Sequence, residues 1–405
     1  MSTTEEAFAA DVVRRLQRAG HVALLAGGCV RDLQLGIRPS DFDVATDAEP
    51  DVVRTLFGKR STLAVGEAFG VVIVLGPKNA TPRPQVEVAT FRREGEYTDG
   101  RRPDRVEFCT AAEDAARRDF TMNGLFLDPV SGELLDYVGG RADLTAGVVR
   151  AIGDPAERIA EDKLRMLRAV RFATRFGFRL SGETADAVRT NAPSLCVVSR
   201  ERVAAELTKM LLHASRAEAI RQLVDLDLWP QVFPGVPEPS VESLATLGRL
   251  KNPQYATGVA ALCDTLDAES VAALMRSLKA SNADRDLAVG LVRDRGAVRD
   301  WAAMSRAERI RLATKSHAAE LFALEASRAL ASGDDPTPAE AASAFLRDSP
   351  DKELRPQPLV TGEHLIAAGV RPSPRFKELL FDAMTAQLDG EVATTEQSLR
   401  RLGLK

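Results

Sequence analysis

Cysteine, histidine and aromatic residues are scarce in this 405-residue chain, with four Cys, four His and only 5% Phe, Trp and Tyr. Cys29, Cys109, Cys196 and Cys263 stand far apart with no CxxC pair. Neither a disulfide framework nor a zinc cluster is expected, and a reducing cytoplasm is the expected location. His21, His213, His317 and His364 are equally dispersed and no His-Asp doublet occurs, which argues against a histidine-built metallohydrolase. So few rings argue against an RNA contact made mainly by base stacking. No run approaches the roughly 18 uncharged apolar residues of a membrane helix. The opening MSTTEEAFAADVVRRLQRAG has no apolar signal core, so secretion is not expected either.

At 45% hydrophobic and 28% charged residues the composition is that of a globular protein, long enough for about two to four domains. A net charge of −4 argues against a surface coated in positive charge. The average conceals an imbalance: residues 158–221 hold 13 Lys and Arg against 7 Asp and Glu. Such a basic middle can grip a polyanion locally.

Residues 1–150 mix helical and strand patterns. An amphipathic helix over 5–19 leads into the apolar run His21–Ala26, read as a buried strand. Further strands are expected at Asp41–Ala45, Val71–Leu75, Val86–Phe91, Leu125–Leu127 and Leu134–Val138, with short helices at Val30–Leu35, Pro50–Phe57 and Ala111–Arg117. From Pro155 the spacing is helical, broken by proline-rich stretches at Trp229–Ser240, Ser332–Ala339 and Asp348–Pro358. Thr361 reads as the N-cap of a further helix.

The sharpest chemical signal is Leu25-Ala-Gly-Gly-Cys-Val-Arg-Asp32 followed by Ser40-Asp-Phe-Asp-Val44. A strand, a glycine pair and a helix start would let the backbone approach a phosphate at the positive helix end, with Arg31 adding a charge-assisted contact. A turn that merely needs glycine is the competing explanation. Asp41 and Asp43, two apart on a strand, would share a face and repel unless a cation or proton lies between them. Mg²⁺, which takes one or two carboxylates plus phosphate oxygens, suits that pair. A solvent-facing edge strand is the alternative.

These segments, with Arg117-Arg-Asp-Phe-Thr-Met-Asn123 and Glu161-Asp-Lys-Leu-Arg-Met-Leu-Arg168, resemble in order and spacing the class II tRNA nucleotidyltransferase and bacterial poly(A) polymerase family, part of the DNA polymerase β-like superfamily. The resemblance covers residues 25–180, recurs more weakly over 359–379, and leaves 240–350 without a motif. It implies Gly28 and Arg31 on the triphosphate, Asp41 and Asp43 as catalytic carboxylates holding Mg²⁺ in a two-metal scheme, and Arg118 on the sugar or phosphate of the incoming nucleotide. Asp119 is read equally well as the partner of an arginine that holds the loop. Glu87 is a candidate third carboxylate or a half-buried structural glutamate. The family usually has Ala after Asn123, where this chain has Gly124, a difference of packing more than chemistry.

On a helix from about Pro155, Asp162 and Arg165 are i, i+3 neighbours. Met166, Val170 and Ala173 line the apolar side, and Arg168, Arg171 and Arg175 the other. A solvated charged face is the bland alternative. In the resembled family the Asp–Arg pair templates the base: the carboxylate accepts from an exocyclic amine and the guanidinium donates to ring acceptors, which C and A satisfy and U and G do not. Arg168 and Arg171 would serve phosphates or hold the helix. Segment 90–103 resembles a loop of CCA- and A-adding members, and the neutral-to-acidic stretch 63–73 speaks against a poly(A) polymerase.

The implied fold is multidomain α+β: a nucleotidyltransferase head with a mixed sheet (1–150), a helical neck (151–235), and a helical body and tail (236–405). The expected activity is addition of CCA to a tRNA 3′ end from CTP and ATP with release of pyrophosphate. Poly(A) synthesis or addition of the terminal A alone are the alternatives within that chemistry, and an inactive RNA- or nucleotide-binding protein is the alternative outside it. Neither DNA nor a membrane is an expected partner.

Overall fold

Helix α1 (Thr4–Arg18) buries Ala9, Val12, Val13 and Leu16, the spacing that gives a helix one apolar stripe. That stripe lies on a seven-stranded sheet. The computed structural model describes residues 4–63, 70–94 and 106–404. The strands are β1 (Ala23–Ala26), β2 (Asp43–Thr46), β3 (Thr62–Leu63), β4 (Val71–Leu75), β5 (Gln85–Thr90), β8 (Leu125–Leu127) and β9 (Leu134–Asp136), in the order β3-β4-β5-β2-β1-β8-β9. Only β2 and β5 run parallel; every other pairing in the sheet is antiparallel. The sheet is therefore mixed, as the head was expected to be. A parallel pair needs a crossover, and helix α3 (Pro50–Phe57) with β3 and β4 lies between β2 and β5 in the chain.

Central strand β1 is buried along its whole length, whereas β5 alternates buried and outward positions, as one covered face requires. Leu24, Ala26, Ala45, Phe91, Ala115 and Phe126 form one core cluster, with Phe91 edge-on to Phe126 at 5.9 Å. Two small pairings were not legible in the sequence. Strands β6 (Arg92–Glu94) and β7 (Val106–Phe108) pair antiparallel, so the expected loop 90–103 begins as strand, and its remainder from 95 lies outside the described residues, as do residues 64–69 of the stretch 63–73. Strands β10 (Val148–Val149) and β11 (Arg179–Leu180) pair in parallel, placing a short strand in a neck expected to be wholly helical.

Two compact units result, Met1–Met210 with Arg221–Val232, and Leu211–Ile220 with Phe233–Lys405. Most of the residues expected as head and neck thus share the first unit. In it follow helices α2 (Gly28–Gln34), α4 (Ala111–Ala116), α5 (Gly140–Ala146), α6 (Pro155–Glu161), α7 (Arg165–Phe176), α8 (Gly182–Asn191) and all but the last two residues of α9 (Arg200–Leu212).

The second unit is helical among its described residues. Trp301 packs edge-on against Phe322 and Phe345 at 5.8 and 5.5 Å, and Val360, Leu365, Leu379 and Ala383 form a further cluster. Thr361 caps the helix Gly362–Ala367, as its sequence suggested. All four cysteines are free thiols. Among the described residues no helix is long and apolar enough to cross a membrane.

Candidate active site

The site begins where β1 ends. Gly27 adopts φ +71, a left-handed conformation that side-chain-bearing residues rarely take, and a Cβ there would stand 3.0 Å from Arg118 Nη1. Gly28, which the sequence singled out, is not among the positive-φ glycines, and a Cβ there would meet only Arg31 Nη2 at 3.6 Å. Of the glycine pair, Gly27 is the one the turn requires. From Gly28 helix α2 carries Arg31 into the interior. Its Nε and Nη2 contact Asp32 Oδ1 at 2.8 and 2.6 Å, and its Nη1 donates to Asn123 Oδ1 at 2.7 Å.

The segment 117–123 then lines the same space. Arg118 holds Asp114 Oδ2 through Nε and Nη2 at 3.1 and 2.8 Å and donates from Nη1 to the Asn123 carbonyl. Arg117 takes the other oxygen of Asp114 at 2.7 Å. Burial works against ionising Asp114, but the two arginines outweigh it and hold its pKa below the carboxylate range. Asp119 accepts from Arg168 Nε and Nη2 at 2.8 and 2.5 Å, from Asn123 Nδ2 at 2.9 Å and from the Phe120 N–H at 2.8 Å. It too is depressed, burial notwithstanding, by the Arg168 charge and these hydrogen bonds. The loop-holding role weighed for Asp119 is thus what its contacts do. Gly124 has its own reason: a Cβ there would lie 2.6 Å from Val138 Cγ2, so the alanine usual in the family would force this chain to shift.

The third motif differs from the expected continuous helix. Asp162 has φ −140 and ψ 102 and terminates α6. Its Oδ1 accepts from the Leu164 N–H at 3.0 Å and its Oδ2 from Arg202 Nη2 at 2.7 Å. The side chains of Asp162 and Arg165 therefore take other partners, while the Arg165 N–H donates to the Asp162 carbonyl at 3.0 Å. Arg165 Nη1 reaches Glu161 Oε2 at 2.6 Å and the Arg158 carbonyl at 2.7 Å. Met166, Val170 and Ala173 are buried as expected; on the opposite face Arg171 is only 8% exposed, whereas Arg175 reaches solvent. Its Nε donates to Glu206 Oε2 of α9 at 2.5 Å. Phe172 and Phe176 stack at 6.2 Å and carry the guanidinium groups of Arg31, Arg168, Arg171 and Arg175 within 4.1 to 5.3 Å of their ring centres, a cation–π arrangement.

The carboxylates sit at the edge of this space. The strand expected over Asp41–Ala45 begins at Asp43, so Asp43 opens β2 and Asp41 precedes it by two residues. Glu87 stands directly across from Asp43 in the β2–β5 register, and it is solvent-exposed rather than half-buried. Although Asp43 itself reaches the surface, desolvation of its carboxyl, then the charges of Glu87 and Asp41, push its pKa up to about 6, with Arg118 opposing. A carboxylate crowded by two others in this way is a donor that a cation relieves. Among the described residues no three His, Cys, Asp or Glu side chains converge as a metal-binding group. Two carboxylates are the donor set that a cation completing its shell with substrate oxygens takes.

Gly28, Arg31, Asp41, Arg118, Asp162, Arg165, Arg168 and Arg171 all line one cavity of about 600 Å³. Asp43 lies outside the lining, as does the further candidate Glu87. Sequence reading gave no individual role to Asn123, Arg175 or Lys209, which line it together with Gly27 of the glycine pair, nor to Arg202 and Glu206 behind it. Eight cations and four carboxylates form the wall, an excess that favours a polyanion.

Residues 23–150 match the family model "Poly A polymerase head domain" and residues 177–238 match "Probable RNA and SrmB- binding site of polymerase A". A CCA-adding enzyme of Limosilactobacillus fermentum is 32% identical over 408 residues, covering 96% of this chain and 94% of that one. A CCA-adding enzyme of Bacillus pumilus is 42% identical over 229 residues, which is 56% of this chain and 55% of that one. The chain therefore spans about half the length of some curated relatives it matches. The crystal structure of the Bacillus stearothermophilus CCA-adding enzyme in complex with CTP superposes with a TM-score of 0.79 at 28% identity, covering 99% and 98% of the two chains. A Thermotoga maritima CCA-adding enzyme complexed with tRNA shares the fold at a TM-score of 0.71 and 19% identity, over 99% of this chain and 95% of that one.

Proposed function

This chain belongs to the CCA-adding enzyme and poly(A) polymerase family of nucleotidyltransferases, and on that premise we propose that it adds CCA to the 3′ end of tRNA in the cytoplasm, using CTP and ATP. The observation that carries the reading is the single cavity in which the glycine turn, the arginine-rich face of α7 and Asp162 meet beside Asp41. The tRNA 3′-hydroxyl attacks the α-phosphate of the nucleotide and pyrophosphate leaves. Most of the catalysis is positioning and charge stabilisation, as phosphoryl chemistry allows. Gly28 and Arg31 hold the triphosphate, and Arg118 the sugar or a phosphate. Asp162 and Arg165 present an acceptor and donors to the base edge, which suits C and A and leaves U or G with unpaired groups. Arg168 and Arg171, each pinned by a carboxylate, present a fixed cationic wall to the phosphates.

Asp41 and Asp43 are the residues that would hold Mg²⁺, with Glu87 opposite Asp43. When bound, Mg²⁺ supplies positive charge that acidifies a hydroxyl and neutralises a leaving phosphate. The basic stretch 158–221 and the helical body and tail would grip the acceptor stem by phosphate and shape.

The test is incubation of the full chain with Mg²⁺ and each NTP singly, then CTP with ATP, on tRNAs ending before the CCA and after its second C. Three added residues on the shorter tRNA, with UTP and GTP inert, is the expected product. One A on the CC-ended tRNA alone would mean an A-adding enzyme, an ATP-dependent ladder a poly(A) polymerase, and no incorporation an inactive binding protein.

A further inference from the structure

Six of the seven arginines lining the cavity hold a carboxylate oxygen at 2.8 Å or closer. Arg175 is the seventh. Its Nη2 lies 3.9 Å from Asp32 Oδ2 and its side chain is 39% exposed. Asp32 is already committed to Arg31 through two close contacts. Among the described residues, then, no carboxylate lies within hydrogen-bond distance of the Arg175 guanidinium, whose five donors form a rigid fork suited to phosphate.

Position decides which part of a ligand it faces. Arg165 and Arg175 are ten residues apart on α7, about 15 Å along the helix axis. The Asp162–Arg165 end carries the base-reading groups. At the other end, the Phe176 ring bears both Arg175, at 5.0 Å, and Arg31, at 4.7 Å, and Arg31 belongs to the glycine turn that receives the triphosphate. Two guanidinium groups on one ring repel, and the single carboxylate between them is shared unequally. The charge of Arg175 also bears on Arg31 and on Arg171, disfavouring their protonated forms. An anion entering there relieves all three.

We propose that Arg175 is a further substrate-binding residue, donating to the terminal phosphates of the incoming nucleotide and to the pyrophosphate that leaves. The inference rests on the nucleotidyltransferase reading above. It makes Arg175 indifferent to the base and sensitive to the number of phosphates.

The experiment measures binding of CTP, ATP, CMP and inorganic pyrophosphate by calorimetry, with steady-state kinetics, for the full chain and its R175Q and R175K variants. R175Q is expected to weaken CTP, ATP and pyrophosphate alike, by about ten-fold or more, the loss of a hydrogen bond to a charged group. CMP binding and the unfolding midpoint stay unchanged, and the kinetic loss falls mainly on KM. R175K, which keeps the charge without the fork, recovers part of the affinity. Triphosphate affinity of R175Q within about two-fold of the wild type overturns the proposal. So does a fall in CMP binding that tracks CTP, which would mean a structural role, or a loss confined to tRNA binding, which would mean an RNA-phosphate contact. A wild-type chain that binds neither CTP nor ATP would sink the enzyme reading and this inference together.

Discussion

Replacing Asp119 by Asn tests whether the cavity wall is built by ion pairs that sequence spacing conceals. The carboxylate accepts four hydrogen bonds, two of them from Arg168 Nε and Nη2. An amide at this position keeps one acceptor oxygen but turns an NH₂ either toward Arg168 or toward Asn123, so at least one donor faces another donor. Removing one partner of a fully buried pair costs about 3–5 kcal/mol. The Asp119 side chain is 10% exposed and that of Arg168 32%, so solvent recovers part of the loss and about 2–3 kcal/mol is expected. The sign with pH is fixed: Asp119 has its folded pKa lowered, so its stabilisation is complete above the unfolded carboxylate pKa. It disappears as acidification passes below that value toward the folded one. Urea unfolding of wild type, D119N, R168M and the double variant at pH 7 and pH 4 measures this directly. The double variant should recover part of the loss, a coupling of about 1–3 kcal/mol. If D119N unfolds within about 0.5 kcal/mol of the wild type at pH 7, the pair is ornamental and the account of a pinned Arg168 fails.

Four further substitutions follow from the geometry. Asp43 has its folded pKa raised to about 6, so in metal-free protein it costs stability as pH rises above the unfolded value; Asp43→Asn should stabilise the chain at pH 8, by about 1 kcal/mol after screening at this exposed position, and abolish nucleotide incorporation. A metal-free Asp43→Asn variant that unfolds no later than the wild type at pH 8 would refute the strain. Asp162→Ala should narrow the preference for CTP and ATP over UTP by about 100-fold in single-nucleotide incorporation, because it deletes the acceptor for the exocyclic amine; unchanged discrimination would move base recognition elsewhere. Gly27→Ala should destabilise by about 1–2 kcal/mol through its φ of +71 and the 3.0 Å approach to Arg118. Gly28→Ala, free of both, should fold normally and report only on nucleotide affinity.

What was legible in the sequence was local. The strand–turn–helix around the glycine pair, the strands Val71–Leu75 and Leu125–Leu127 and the helix Pro50–Phe57 occupy the expected residues, because period, Gly and Pro act within a few residues. The break at Asp162 escaped notice, since nothing in Glu161-Asp-Lys-Leu is a helix breaker. It forms because the Asp162 side chain caps Leu164 and is drawn toward Arg202, 40 residues on. The two-residue strands β10 and β11 are too short for any alternation to show, and they exist only because the chain returns after α7.

The arginines on the wall show the same division more sharply. Their positions in the sequence announced an anion site, but left open whether Arg168 and Arg171 serve phosphates or hold the helix. In the fold each is fixed by a carboxylate remote in sequence, Arg168 by Asp119 at a separation of 49 residues and Arg171 by Glu206 at 35. Holding the wall and serving phosphates are then compatible roles. An arginine left to wander would have to be immobilised when the nucleotide binds, at a cost of about 1–2 kcal/mol in side-chain entropy. Pinned by its carboxylate, it keeps the remaining donors of its fork aimed into the cavity before any ligand arrives. The carboxylates reduce the net charge of the wall without removing it, and a highly charged phosphate chain can still outcompete them for the outward donors. A single arginine with its fork uncommitted, at the phosphate end of α7, is what such a wall leaves to adjust to the ligand, and Arg175 occupies that place.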